Sequence, residues 1–208
     1  MKISRAIGLP ILCSLVLVGC GGPKVGGLLK HGSGLLVSTS AELMPDANPG
    51  AQKLLFGSIV IPVEVKIDKS AQDMTITLFS EEALFDTEKY RTVENEFDVV
   101  NAAGEDYSPP IPLLKFPMNI GDSWSWKGQM VTAPTSRKAT AVITTTDDQV
   151  DMGSPADALR VDVTLSMESG ASAPAMRTLT FWFVKGKGIV KRDFGANTSR
   201  VPATAATP

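Results

Sequence analysis

Two groups of carboxylates are the first residues in this chain whose types and spacing suit chemistry. Asp147, Asp148, Asp151 and Asp157 cluster in TDDQVDMGSPAD, and clustered carboxylate oxygens are what a hard cation such as Ca²⁺ takes as ligands. The D-x-D-x-D-G spacing of a calcium loop is missing, so Asp147, Asp148 and Asp151 form a weak cation candidate beside the plainer reading of solvated turn residues. Glu81, Glu82, Asp86 and Glu88 are of the type needed for glycoside hydrolysis, which sets two acids about 5–9.5 Å apart across a cleft. The stretch SEEALFDTEK, Ser80 to Lys89, opens with a helix-capping pattern. It is expected to form a short helix with an exposed acidic face. Gly186-Lys187-Gly188 is a fragment of a phosphate-binding glycine pattern, but it lies between two strand-like segments and reads as a hairpin turn.

Other reaction types lack their partners. The sole histidine, His31, lies in GGPKVGGLLKHGSG, where six of fourteen residues are glycine. Such a segment is a flexible tether, because glycine loses the most backbone entropy on ordering. Serine triads and the usual zinc sites need histidine in a built site. The expectation is therefore a non-enzymatic protein without a cofactor, with a carboxylate-dependent hydrolase as the enzymatic alternative. The formal charge of −2 becomes −4 without Lys2 and Arg5, which leaves no basic field for nucleic acid.

Those two basic residues open an export signal. Residues Ala6 to Gly19 are apolar or small apart from Ser14. The run is too short for a membrane-spanning helix, which needs about 20 residues, and it has the layout of a secretory signal cut after a small residue. Cleavage falls between Gly19 and Cys20. Leu17-Val18-Gly19-Cys20 resembles the lipobox of bacterial lipoproteins. The resemblance implies a diacylglyceryl thioether on Cys20, removal of residues 1–19 and acylation of the new amino terminus with a palmitate-type chain. The lipid bilayer is then the first partner, since two or more chains anchor stably where one binds marginally. In that family an Asp after the modified cysteine retains the protein in the inner membrane of enteric bacteria. Gly21 stands there instead, which implies the outer membrane facing the periplasm, or the outer face of the plasma membrane in a Gram-positive cell. With Cys13 lost to the signal and Cys20 to lipid, no disulfide remains, and the domain must rest on its core.

Residues 20–34 thus read as a lipidated cysteine and tether, 35–200 as a single β-rich domain and 201–208 as a disordered tail. Period-two alternation dominates the domain. Ile59 to Asp68 alternates aliphatic and polar residues, with Pro62 marking an edge or a bulge. Met74, Ile76 and Leu78 continue the pattern, and Leu159, Val161, Val163, Leu165 and Met167 give its cleanest case. Further strands are expected at Tyr90 to Val100, Ser123 to Val131, Lys138 to Thr146, Met176 to Lys185 and Gly188 to Phe194, separated by turn signals. The expected fold is all-β: a curved antiparallel meander forming an open half-barrel or sandwich, with at most one or two short helices.

Phe116-Pro117, Gly121, Trp124 and Trp126 in FPMNIGDSWSWKG resemble the Phe-Pro-Leu-x-x-Gly-x-x-Trp-x-Tyr segment of many uncharacterised exported bacterial proteins and lipoproteins. VDMGSPADALRVDV is similar to a later hairpin of those proteins, although Asp157 replaces its glycine, and TFWFVKGKGIVK is similar to their closing Tyr-Trp-(Phe/Tyr)-x-x-Gly-x-Gly-x-Val-Lys segment. The resemblance covers Ile111 to Arg192 and implies a curved antiparallel sheet without an agreed activity. On their own terms, Trp124 and Trp126 project from one face of a strand. They serve either as core packing or as a ligand platform on a concave surface. The functional expectation is a membrane-anchored lipoprotein that binds an apolar or protein ligand on a curved sheet. The alternative is a structural or assembly partner of an envelope complex, pairing through an exposed strand edge.

Overall fold

The computed structural model describes residues 36–37, 43, 52–56, 59–170, 173–195 and 198–205. The export signal, Cys20 and the tether with His31 lie outside the described residues. In chain order the strands are β1 (Leu36–Val37), β2 (Gln52–Phe56), β3 (Ile59–Lys69), β4 (Asp73–Ser80), β5 (Ala83–Val93), β6 (Glu96–Ala102) and β7 (Glu105–Lys115). They continue as β8 (Met118–Asn119), β9 (Ser123–Thr132), β10 (Thr135–Asp151), β11 (Pro155–Met167), β12 (Ala175–Val184), β13 (Gly188–Asp193) and β14 (Thr198–Pro202). No helix occurs among the described residues.

The antiparallel meander expected from the alternation is present, but it closes. From β2 to β14 each strand pairs with the next, β7 passing over the short β8 to reach β9, and β14 returns to β2 to complete a barrel. An open half-barrel is therefore corrected to a closed one. The closing contact joins Thr198–Pro202 to Gln52–Phe56, a pairing that alternation within either segment cannot reveal. It also moves the expected tail, because Val201 and Pro202 belong to β14 and are buried.

Two local expectations are corrected as well. Glu81 and Glu82, assigned above to a helix, both take positive φ, 50° and 66°, the conformation of a two-residue hairpin turn whose twist suits the flanking strands. Ser80 ends β4, and Ala83 to Lys89 belong to β5. The single strand expected from Tyr90 to Val100 is split at Glu94, φ 47°, into β5 and β6. Pro62 fits its expectation in part. Ile59–Val63 pairs with β2 and Glu64–Lys69 with β4, so Pro62 lies where only one side of the strand is laddered and its missing N–H is tolerated.

Inward positions carry Val63, Val65, Ile76, Leu78, Phe97, Val161, Val163, Phe181 and Phe183, all buried. Outward positions on β3 carry Glu64, Lys66 and Asp68, all exposed. Membrane-spanning barrels show the reverse order, with an apolar band outside and a polar lumen. Twelve strands in a round barrel would leave a lumen. Here opposite walls touch: Tyr90 on β5 meets Phe181 on β12 edge-on at 6.5 Å between ring centroids, and Phe97 on β6 meets Phe183 at 6.0 Å. The cross-section is therefore flattened, two walls packing as a sandwich does.

The seam between β7 and β9 is held by side chains. Only Asp106–Ser108 pairs with β9, because Pro109, Pro110 and Pro112 cannot donate ladder hydrogen bonds. Trp126 Nε1 donates instead to the Pro109 carbonyl at 3.0 Å, and Trp124 Nε1 to the Pro112 carbonyl at 2.8 Å. Gly121 at φ 95° turns the chain into β9, a conformation that favours glycine.

The turns following β2, β4, β6, β9, β11 and β13 lie at one end of the barrel. The chain enters β2 at Gln52 and leaves β14 at Pro202 at the other end. Here too β8 interrupts the path from β7 to β9 and pairs with β1.

Candidate functional site

Inside an apolar barrel the residues that need explaining are charged. β5 runs inward at Asp86, Glu88 and Tyr90, set opposite Leu78, Ile76 and Met74. On β13 a bulge at Val190 shifts the alternation: Phe183 faces Ile189, but Phe181 faces Arg192. The extra residue turns Arg192 into the barrel, as bulges commonly re-aim a side chain. β14 sets Arg200 beside Arg192 and opposite Leu54.

These residues form one network. Glu88 accepts a hydrogen bond from Arg192 Nε on one oxygen. Its other oxygen accepts from Arg200 Nη2 at 3.0 Å and from the Tyr90 hydroxyl at 2.7 Å. Arg200 Nη1 donates to Gln52 Oε1 at 2.6 Å, and Arg192 Nη2 donates to Asp86 Oδ2 at 2.9 Å. The Arg192 guanidinium also lies 4.2 Å from the Phe194 ring centroid. Arg200 Nε is buried and has no hydrogen-bond partner among the described residues.

Burial alone would push the Glu88 carboxyl up. The charges of Arg192 and Arg200, with the hydrogen bonds from Tyr90 and Arg192, outweigh it and bring the carboxyl below its ordinary value. For Asp86 the balance is reversed: burial raises its carboxyl, with Arg192 opposing and Glu88 reinforcing. Burial beside Glu88 likewise pushes the Tyr90 phenol well up.

Above the network the barrel end opens into a cleft of about 720 Å³, a size suited to a small organic ligand. Phe85, Met167, Met176 and Leu54 form its apolar side, with Asp86 and Arg192 among its polar lining. Phe85 is the extra residue of a second bulge, between β4 and β5, and is 43% exposed; Met176 is 64% exposed. Arg177 also lines the cleft and is held by Glu105 at 2.6 Å and by the Phe194 carbonyl.

The residues singled out from sequence fall elsewhere or in other roles. Trp124 and Trp126 pack into the core and tie the β7–β9 seam. Asp148 accepts from Trp182 Nε1 at 2.8 Å on the outer face, and Asp151 accepts from the Gly153 amide. Asp147, next to Asp148 on β10, points to the opposite side of the sheet, and Asp157 accepts from Gln149. No group of metal-ligating side chains forms among the described residues. Of the acidic group, Asp86 and Glu88 enter the network, while Glu81 and Glu82 stay in the turn. Gly186-Lys187-Gly188 is the hairpin turn between β12 and β13. Sequence reasoning missed Gln52, Tyr90, Arg192 and Arg200. The available signal was Asp86, Glu88 and Tyr90 at alternate positions, which as a strand places two carboxylates on a core face.

A further buried carboxylate lies outside this network. Asp98 on β6 has a buried oxygen without a hydrogen-bond partner among the described residues, and burial, with Glu96 nearby, pushes it up to about 6. The folded state therefore holds its proton more tightly than the unfolded chain, whose Asp titrates near 3.9. Stability from this group falls as pH rises from about 4 to about 6, and the deficit persists above that. Asp98→Asn should raise the unfolding free energy by about 1–2 kcal/mol at pH 7.5 and change it little near pH 4, as read by urea unfolding at the two pH values.

No family model matches the chain. No curated protein matches it. Among solved structures it is similar to a "putative lipoprotein" from Parabacteroides distasonis ATCC 8503, with 9% identity and a TM-score of 0.47 over 79% of this chain and 97% of that one. A likeness of that degree lies below the level at which shared fold or function follows.

Proposed function

We propose that this chain is an exported lipoprotein, anchored through acylated Cys20, whose barrel binds an apolar ligand without catalysis at its open end. The observation that carries the binding is the cleft itself: large apolar side chains, Phe85 and Met176, stand exposed around it, at a cost in hydration that ligand burial would recover. The anchor rests on Leu17-Val18-Gly19-Cys20, and the destination on Gly21, which favours the outer membrane facing the periplasm. The ligand site moves from the tryptophan pair, which is packed, to the barrel end. Pairing with an envelope protein through a strand edge has a narrower basis in a closed barrel, where the half-laddered Ile59–Val63 carries a proline.

Growth with an alkyne-tagged fatty acid tests the anchor. The wild-type chain should take up the tag and sediment with membranes. A Cys20→Ser chain that is trimmed normally and still sediments would refute it. For the ligand, the mature chain exported behind an ordinary cleavable signal with Cys20→Ser should enhance the fluorescence of an apolar dye, and Phe85→Asp with Met176→Asp should abolish that enhancement. Unchanged dye binding in the double variant would remove the cleft from the account.

A further inference from the structure

Resting on that apolar site, we infer that its ligand is a single-chain amphiphile with an anionic head, which takes the place of Asp86 on Arg192. The cleft has two chemically distinct sides. Phe85, Met167 and Met176 suit a hydrocarbon chain, while Arg192 and Asp86 form a charged pair at its floor and Arg177 is already paired with Glu105. Beneath them a single buried carboxylate, Glu88, serves two guanidiniums. Among the described residues the second positive charge is balanced by Asp86 alone, at the edge of the network, with a side chain 21% exposed against 3% for Arg192. Asp86 is the replaceable member, because burial already disfavours its ionised form and it has solvent to turn toward. A ligand head in its place keeps the charge balance and gains a charge-assisted hydrogen bond from Arg192 Nη2. A cationic head in that place would meet the Arg192 guanidinium, and a neutral head would leave Asp86 where it is.

Calorimetry below the micellar concentration tests this with three probes sharing one chain length: dodecanoate, dodecanol and dodecyltrimethylammonium. The protein is the mature exported chain carrying Cys20→Ser. Dodecanoate should bind at least about tenfold more tightly than the other two, about 1.4 kcal/mol at that ratio. Asp86→Ala should tighten dodecanoate further, about fivefold or more, with dodecanol unchanged. That variant removes the competitor and leaves Glu88, Arg192 and Arg200 in place, so a purely structural role for Asp86 would not produce the gain. Equal binding of dodecanoate and dodecanol, or no gain with Asp86→Ala, overturns the anionic head and leaves the apolar site standing. Failure of all three probes to bind overturns both.

Discussion

Glu88→Gln is expected to cost about 3–5 kcal/mol of stability at pH 7, the range found when one member of a buried ion pair is removed. The reason is the stoichiometry of the network. Glu88 is fully buried and supplies both oxygens to two guanidiniums and a phenol. The amide keeps the shape but offers one acceptor, adds a donor facing other donors, and leaves two guanidiniums with only the Asp86 carboxylate in the network to balance them. The effect carries a pH signature. Glu88 titrates below its ordinary value in the folded state, so its contribution is complete above the unfolded value of about 4.3 and is lost as pH falls through the folded one. The difference between wild type and Glu88→Gln should therefore be large at pH 7 and shrink below about pH 4. Urea unfolding across that range measures it. A loss under about 1 kcal/mol at pH 7 would mean that water reaches the network.

Gly128→Ala is expected to lower stability by about 3 kcal/mol, at the upper end of the usual cost of overpacking. A Cβ at Gly128 would lie 2.4 Å from Trp126 Cζ2, 2.5 Å from the Ser108 carbonyl oxygen and 2.9 Å from Pro109 Cδ. Two of these are fixed by the proline-rich β7 and the third belongs to the indole that bonds Pro109. The strand cannot retreat without opening the seam, where the ladder is only three residue pairs long. Thermal unfolding should show a fall of about 6–12 °C, since 1 kcal/mol moves a domain of this size by about 2–4 °C. A variant that melts with the wild type would show that β9 can slide away from β7 at little cost.

The parts legible in sequence were those governed by local pattern. Alternation located most of the strands, and Gly186-Lys187-Gly188 was readable as a turn because a tight hairpin makes a local demand. What could not be read depends on register and on distant partners. Glu81 and Glu82 look like a helix start because a capping pattern and a hairpin turn draw on the same polar residues. Arg192 has the parity of an outward residue until the bulge at Val190 is known. Arg200 directly precedes the stretch 201–208, whose composition resembles a loose tail, and only its pairing with Leu54 reveals that it is interior. Trp124 and Trp126 were placed on one strand face, but their role follows from the prolines of β7, which needed the β7–β9 contact.

The ring is fastened by the first and last strands of the barrel: Gln52 and Arg200, hydrogen-bonded to each other, are separated by 148 positions. Such a long-range contact has a high loop-closure cost and forms late relative to local hairpins. The hairpins can assemble one after another, but the domain cannot complete its fold until its closing residues are free to pair. A chain stopped short of Thr198 carries its apolar interior along two raw margins, so this architecture keeps the polypeptide unfinished until its closing residues are in place.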